Sequence, residues 1–211
     1  MPPWGGSEAL LVTSPIAVGV PGGSEGDFVL DMSPCVAARG KIRKAARRGE
    51  QIPEGYALDS NGKATTDLMR ALEGVVLPIG GPKGSGLAMM MDIFSGVMSG
   101  SAFAGRVNDQ YKNMEECQNV GHWFFVFKPD IFLDGGVVEF RERMDDLLSK
   151  TRAVKKAEGF GRIFISGEPE SETEKQRRIE GIPFTKGEID ALHELASKSG
   201  VDLRLAIVEG E

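Results

Sequence analysis

The chain has 211 residues, 41% of them hydrophobic, and a formal net charge of −6. That is enough apolar content for a sizeable core, and the acidic balance argues against a nucleic-acid or anionic-membrane partner, either of which needs a dominant basic face. Two cysteines, Cys35 and Cys117, without a C-x-x-C pair, and two histidines, His122 and His193, without an H-x-x-x-H neighbour predict neither a disulfide framework nor a metal site, and suit a reducing, cytoplasmic setting.

The first residues, Met1-Pro2-Pro3-Trp4-Gly5-Gly6, carry no basic stretch ahead of a long apolar run, so no secretory signal is expected. Ala9 to Val20 and Phe28 to Met32 read as two strands joined by the turn Pro21-Gly22-Gly23-Ser24, with Pro15 at an edge or bulge. From Val36 to Arg48, apolar residues at near-helical spacing alternate with Arg39, Lys41, Arg43, Lys44, Arg47 and Arg48, and Gly49 supplies a stop. The basic face of that helix reads either as solvated surface or as a phosphate contact. Ile52 to Asp67 is loop and turn, Asn61-Gly62 being a pair that accepts positive φ, and a short helix follows around Asp67 to Leu72.

The stretch Pro78-Ile79-Gly80-Gly81-Pro82-Lys83-Gly84-Ser85-Gly86 then opens into an apolar run from Leu87 to Phe103. Glycines ahead of a helix leave amides able to approach a ligand closely, the helix N-terminus adds partial positive charge, and Lys83 is the one full charge, which suits a phosphate. The same string also reads as a plain turn before a buried helix. It meets neither the Walker spacing, since Gly84 separates Lys83 from Ser85, nor G-x-G-x-x-G. An ATP-dependent phosphate-transfer protein is thus a third-rank reading. The following helix is apolar on nearly every side and is expected to be enclosed. Asp92 within it would cost about 3 kcal/mol at mid-bilayer, so a protein core fits better than a membrane.

Gly105 to Val120 reads as an exposed polar loop, His122 to Phe127 as a buried strand, and Phe140 to Val154 as an amphipathic helix. Gly161 to Ser166 is a short strand, Glu170 to Glu180 a solvated helix or loop, Ile189 to Leu195 a last amphipathic helix, and Val201 to Val208 a closing strand. No repeat or long linker divides residues 1–211, so one body is expected.

In this order the segments resemble the malate/L-lactate dehydrogenase family, which includes ureidoglycolate and sulfolactate dehydrogenases. Thr13-Ser14-Pro15-Ile16 is similar to the family's Thr-Asn-Pro-Ile/Leu, and Asp31-Met32-Ser33 to its Asp-Met-Ala/Ser. Ala38-Arg39-Gly40-Lys41-Ile42 and Ile52-Pro53-Glu54-Gly55-Tyr56-Ala57-Leu58-Asp59 are also similar. Gly80 to Leu87 matches Gly-Gly-x-Lys-Gly-x-Gly-Leu, and Ser166-Gly167-Glu168 resembles Pro-Gly-Glu. The departures are Ser14 for Asn, Pro34-Cys35 where Thr-Ser is common, and Ser166 for Pro.

The resemblance implies an α/β class with a non-Rossmann fold, a mixed β-sheet packed around the buried apolar helix, and a homodimer with active sites at its interface. It implies NAD or NADP as cofactor and hydride transfer to or from a small 2-hydroxy acid such as malate or lactate. Asp31, Met32, Ser33, Lys83, Ser166, Gly167 and Glu168 are by this resemblance the dinucleotide-lining residues. It begins partway through the family's sequence, so the N-terminal portion with the family's catalytic histidine and its substrate-holding arginine and serine is expected to be missing. Neither His122 nor His193 stands in the matching motif, and no catalytic residue is assigned. The competing expectation is a catalytically inactive fragment or paralogue that binds dinucleotide or a partner subunit.

Overall fold

A computed structural model of the chain describes residues 1–47, 50–109 and 113–205. They fall into two compact units, Met1–Leu147 and Leu148–Glu211, taken here one at a time.

In the first unit the chain forms an antiparallel hairpin, β1 (Ile16–Val20) and β2 (Phe28–Met32), in the register Ile16↔Met32 to Val20↔Phe28. The strand predicted from Ala9 begins only at Ile16, because Pro15 has no amide to donate and Ser14 before it holds φ at 40°. Helix α1 (Arg39–Arg47) starts three residues later than the apolar pattern, then β3 (Ala57–Leu58), β4 (Ala64–Thr65), α2 (Leu68–Glu73) and β5 (Val75–Val76) follow. The three short strands form an antiparallel sheet in the order β4-β3-β5, β3 and β4 lying within the stretch Ile52 to Asp67 that reads as loop. Asp67 caps α2 by accepting from the Met69 and Arg70 amides at 2.8 and 3.0 Å. At the other end of α2 the Arg39 guanidinium donates to the Leu72 carbonyl at 2.7 Å and to that of Gly74 at 3.2 Å, a cation placed where the helix presents free carbonyls.

These elements enclose the principal core, made of Cys35, Ile42, Ile52, Ala57, Leu68, Ala71 and Val76. Gly62 has φ 75°, as the Asn61-Gly62 turn requires. An isolated bridge between Cys35 and Pro78 then leads the chain to α3 (Pro82–Asp92), which continues as a π-helical segment, Ile93–Val97.

The α/β character expected from the sequence holds, and all described strand pairs are antiparallel. Enclosure of α3 does not hold among the described residues: Met89, Met90, Ile93, Val97 and Met98 are exposed, since no described helix or strand covers those sides. His122 to Phe127 likewise forms no ladder. Its backbone is extended enough to stack side chains two residues apart, with Trp123 and Phe125 rings 5.8 Å apart and 6° from parallel, yet Phe124 and Val126 are 85% and 92% exposed. A strand is completed by a neighbour that accepts its amides; Phe94 stacks its ring on Trp123 at 4.9 Å, yet no described segment pairs its backbone with this one.

The helix expected at Phe140 to Val154 is α4 (Gly136–Ala153), preceded by a 3₁₀ turn, Pro129–Phe132. In the second unit Gly161 to Ser166 contains no strand. Helix α5 (Glu168–Glu180) follows, then α6 (Lys186–Ser199). Helix α6 starts earlier than its apolar pattern because Thr185 and Glu188 form a reciprocal capping box. Residues 201–205 carry no strand, and the rest of the expected closing strand lies outside the described residues.

Candidate functional site

The Pro78–Ser85 loop is shaped by two glycines, Gly80 and Gly81, with φ of 58° and 62°. That conformation turns the loop's amides onto its own carbonyls. Gly81 donates to Pro78 at 3.2 Å, Lys83 to Gly80 at 3.4 Å, Gly84 to Ile79 at 2.8 Å and Ser85 to Gly81 at 3.1 Å. Of the amide cradle expected from the glycine count, these four amides are therefore taken up by the loop itself. The ring of Trp4 lies over Gly81, where a Cβ would come within 2.9 Å of it, and the Trp4 amide donates to Ser85 Oγ at 2.9 Å. Lys83 is exposed, and its ammonium has no partner among the described residues.

The same loop is joined to the end of β2. The Ile79 amide donates to the Pro34 carbonyl at 2.7 Å, and Pro34 is fully buried. Ser33 Oγ donates to the Thr13 carbonyl at 2.8 Å and accepts from the Cys35 amide at 3.3 Å. Asp31, Met32, Ser33 and Lys83 thus sit on two stretches held along one seam, which the sequence alone did not reveal. Asp31 is exposed, while Met32 and Ser33 are half-buried.

Ser166, Gly167 and Glu168 lie in the second unit, at the start of α5. Gly167 takes φ 94°, a left-handed turn that glycine permits without steric cost, and Pro169 follows within the first helical turn. Ser166 is exposed. The Glu168 carboxylate accepts from the Ile165 amide at 2.8 Å, from Arg152 Nε at 2.8 Å and Nη2 at 2.6 Å, and from Arg162 Nη2 at 3.4 Å. The Ile165 amide first, then the two guanidiniums, hold its carboxyl below the ordinary value of 4.5. Both oxygens of Glu168 are thereby engaged, so its evident task is to fix the turn and its two arginines. Arg152 and Arg162 were not singled out from the sequence, which places Arg152 on the amphipathic helix Phe140 to Val154 and Arg162 in the short strand Gly161 to Ser166.

No group of three or more potential metal-ligating side chains occurs among the described residues. Nor is any helix of them long and apolar enough to cross a membrane.

A family model described as malate/L-lactate dehydrogenase matches residues 1–193. L-sulfolactate dehydrogenase of Methanocaldococcus jannaschii is 40% identical over 203 residues, covering 96% of this chain and 57% of that protein. Ureidoglycolate dehydrogenase (NAD(+)) of Escherichia coli is 35% identical over 182 residues, 85% of this chain and 50% of the relative. A (2R)-3-sulfolactate dehydrogenase (NADP(+)) of Chromohalobacter salexigens is 39% identical over 135 residues, 64% of this chain and 40% of its own length. A solved structure of sulfolactate dehydrogenase from Methanocaldococcus jannaschii matches 96% of this chain and 57% of that one, with a TM-score of 0.80 and 36% identity. The chain thus spans about half the length of the curated relatives it matches.

Proposed function

This chain belongs to the malate/L-lactate dehydrogenase family, and on that footing we propose that it contributes the dinucleotide-binding part of an NAD(P)-dependent oxidoreductase acting on a small 2-hydroxy acid. The observation that carries the reading is Lys83: an exposed ammonium without a partner among the described residues, standing on a loop in which the amides of Ile79, Gly81, Lys83, Gly84 and Ser85 are hydrogen-bonded. Such a cation suits a pyrophosphate or ribose phosphate, because a point charge with three donors needs no fixed approach.

The donor set fits the cofactor in part. Lys83 and the exposed Asp31 and Ser166 would meet phosphate and ribose hydroxyls, whereas the amides of Gly81, Lys83, Gly84 and Ser85 are committed to the loop and would hold nothing. Met32 would supply apolar contact. Gly167 keeps the second stretch turned, and Glu168 braces it. The bound nicotinamide would supply the hydride chemistry. A group to take the hydroxyl proton and a cation for the substrate carboxylate are also required, and no residue is assigned to either role. We place the protein in the cytoplasm and as a homodimer, whose mass sedimentation velocity would check.

Fluorescence titration with NADH and NADPH tests the central reading. Lys83→Ala should weaken both about tenfold, equivalent to about 1.4 kcal/mol. Unchanged affinity would remove Lys83 from the site. Turnover of sulfolactate, malate and ureidoglycolate by the same preparation would identify the substrate.

A further inference from the structure

A cleft of about 510 Å³ in the second unit lies between the end of α4 and the stretch that leads into the Ser166–Glu168 turn. Four cations line it: Arg152, Lys155, Lys156 and Arg162. Two are paired with carboxylates. Arg152 grips Glu168 through both Nε and Nη2, and Arg162 bonds Glu172 at 2.7 Å while its guanidinium lies 4.3 Å from the centre of the Phe164 ring. The two carboxylates, Glu168 and Glu172, offset those two guanidiniums. The lysines are not offset. Lys156 Nζ donates to the Gly161 carbonyl at 2.9 Å, which closes the loop without cancelling the charge. Lys155 is exposed and has no partner among the described residues. Four cations against two carboxylates leave an excess of two positive charges on a cleft whose arginines are already paired.

This excess calls for a compact dianion. The last carbonyls of α4 disfavour an anion at its C-terminus, and Lys155 and Lys156, just past Ala153, more than compensate. We propose that the cleft takes the phosphomonoester of a dinucleotide, the 2′-phosphate of NADP, so that Lys155 and Lys156 make this chain select NADP over NAD. The inference rests on the reading that the Ser166–Glu168 turn lines the cofactor, because Glu168 ties that turn to the arginine wall. A ribose phosphate carries about −1.5 to −2 at neutral pH, which matches the excess. NAD offers an uncharged hydroxyl at the same position and leaves both lysines unsatisfied.

Titrating the intact protein with NADPH and NADH at low salt separates the possibilities. NADPH should bind about tenfold more tightly, and the advantage should shrink as salt screens the exposed lysines. Lys155→Ala with Lys156→Ala should abolish the advantage while leaving NADH affinity in place. Lys155→Ala alone, at an exposed position without contacts to lose, should reduce it about threefold and guards against misfolding of the double variant. Equal affinity for the two dinucleotides in the unmodified chain overturns the proposal, as does an advantage that survives both variants. Binding of neither dinucleotide would sink the cofactor reading and this inference together. Lys83→Ala, by contrast, should weaken both cofactors alike, so the two roles are measured apart.

Discussion

Two glycine-rich stretches of the first unit look alike on paper and behave oppositely in the fold. Pro78 to Ser85 turns its amides inward, onto the carbonyls of Pro78, Ile79, Gly80 and Gly81. The β1–β2 turn does the reverse. The amides of Gly23, Ser24 and Glu25, with the Ser24 hydroxyl, converge on the carboxylate of Asp145 in α4 at 3.1, 2.8, 3.0 and 2.8 Å. The anion-holding nest of this unit is therefore the turn that reads as mere punctuation, and it is filled by the protein's own aspartate. Glycine content announces backbone freedom; where the amides point is decided by which carbonyls or carboxylates the fold brings near them.

The contrast is sharpest in what a methyl group would meet. At Gly84 a Cβ would stand 2.3 Å from the Ile79 carbonyl oxygen, 2.7 Å from its nitrogen and 2.9 Å from the Pro34 oxygen, all backbone. Relief requires moving the seam between the loop and β2, so Gly84→Ala should cost about 3 kcal/mol in urea denaturation. At Gly23 a Cβ would meet Asp145 Oδ2 at 2.4 Å, the movable end of a side chain. Gly23→Ala should cost under about 1 kcal/mol. A loss at Gly84 no greater than that at Gly23 would mean that the loop is as yielding as the turn.

The Asp145 contact has a pH signature. The Glu25 amide foremost, then the Ser24 hydroxyl and the amides of Ser24 and Gly23, hold its carboxyl below the ordinary 3.8. A depressed value means that the contact stabilises the fold fully above the ordinary value and is lost as pH falls through the lower folded one. Asp145→Asn should speed hydrogen exchange at the Ser24 and Glu25 amides at neutral pH. The unmodified chain should reach the same rates, corrected for intrinsic exchange, only in acid. Exchange that is indifferent to the substitution would show that the nest does not depend on its carboxylate.

These two regions also mark what a reader of the sequence can and cannot see. The β1–β2 hairpin, α2, α4 and α6 are legible because their signals are local: alternation, Asp67 as a cap, apolar spacing. The Thr185–Glu188 capping box is also a local signal, but the apolar spacing alone began the helix at Ile189, and the box explains why α6 begins at Lys186. His122 to Phe127 has every local mark of a strand and forms none, because a ladder needs a second segment that composition cannot supply. The family motifs pointed to Asp31–Ser33, Lys83 and Ser166–Glu168, but not to the partners that define their work. Asp145 lies about 120 residues from the turn that holds it, and Arg152 lies 16 residues from Glu168. Contacts at such separations leave no periodic trace.

The smallest effect belongs to Lys83, and its smallness is informative. The side chain is exposed, makes no hydrogen bond or ion pair among the described residues, and rises from a loop whose backbone is secured without it. Lys83→Ala should shift unfolding free energy by less than about 0.5 kcal/mol. A structural lysine would betray itself by a larger loss, with any change in cofactor affinity following from a disordered loop. Paired with the tenfold loss of dinucleotide affinity expected of the same variant, an unchanged melting curve places the energy of Lys83 in what it binds. The closed amides around it then serve as a rigid mount, and the one unpaired cation remains as the loop's means of holding a phosphate.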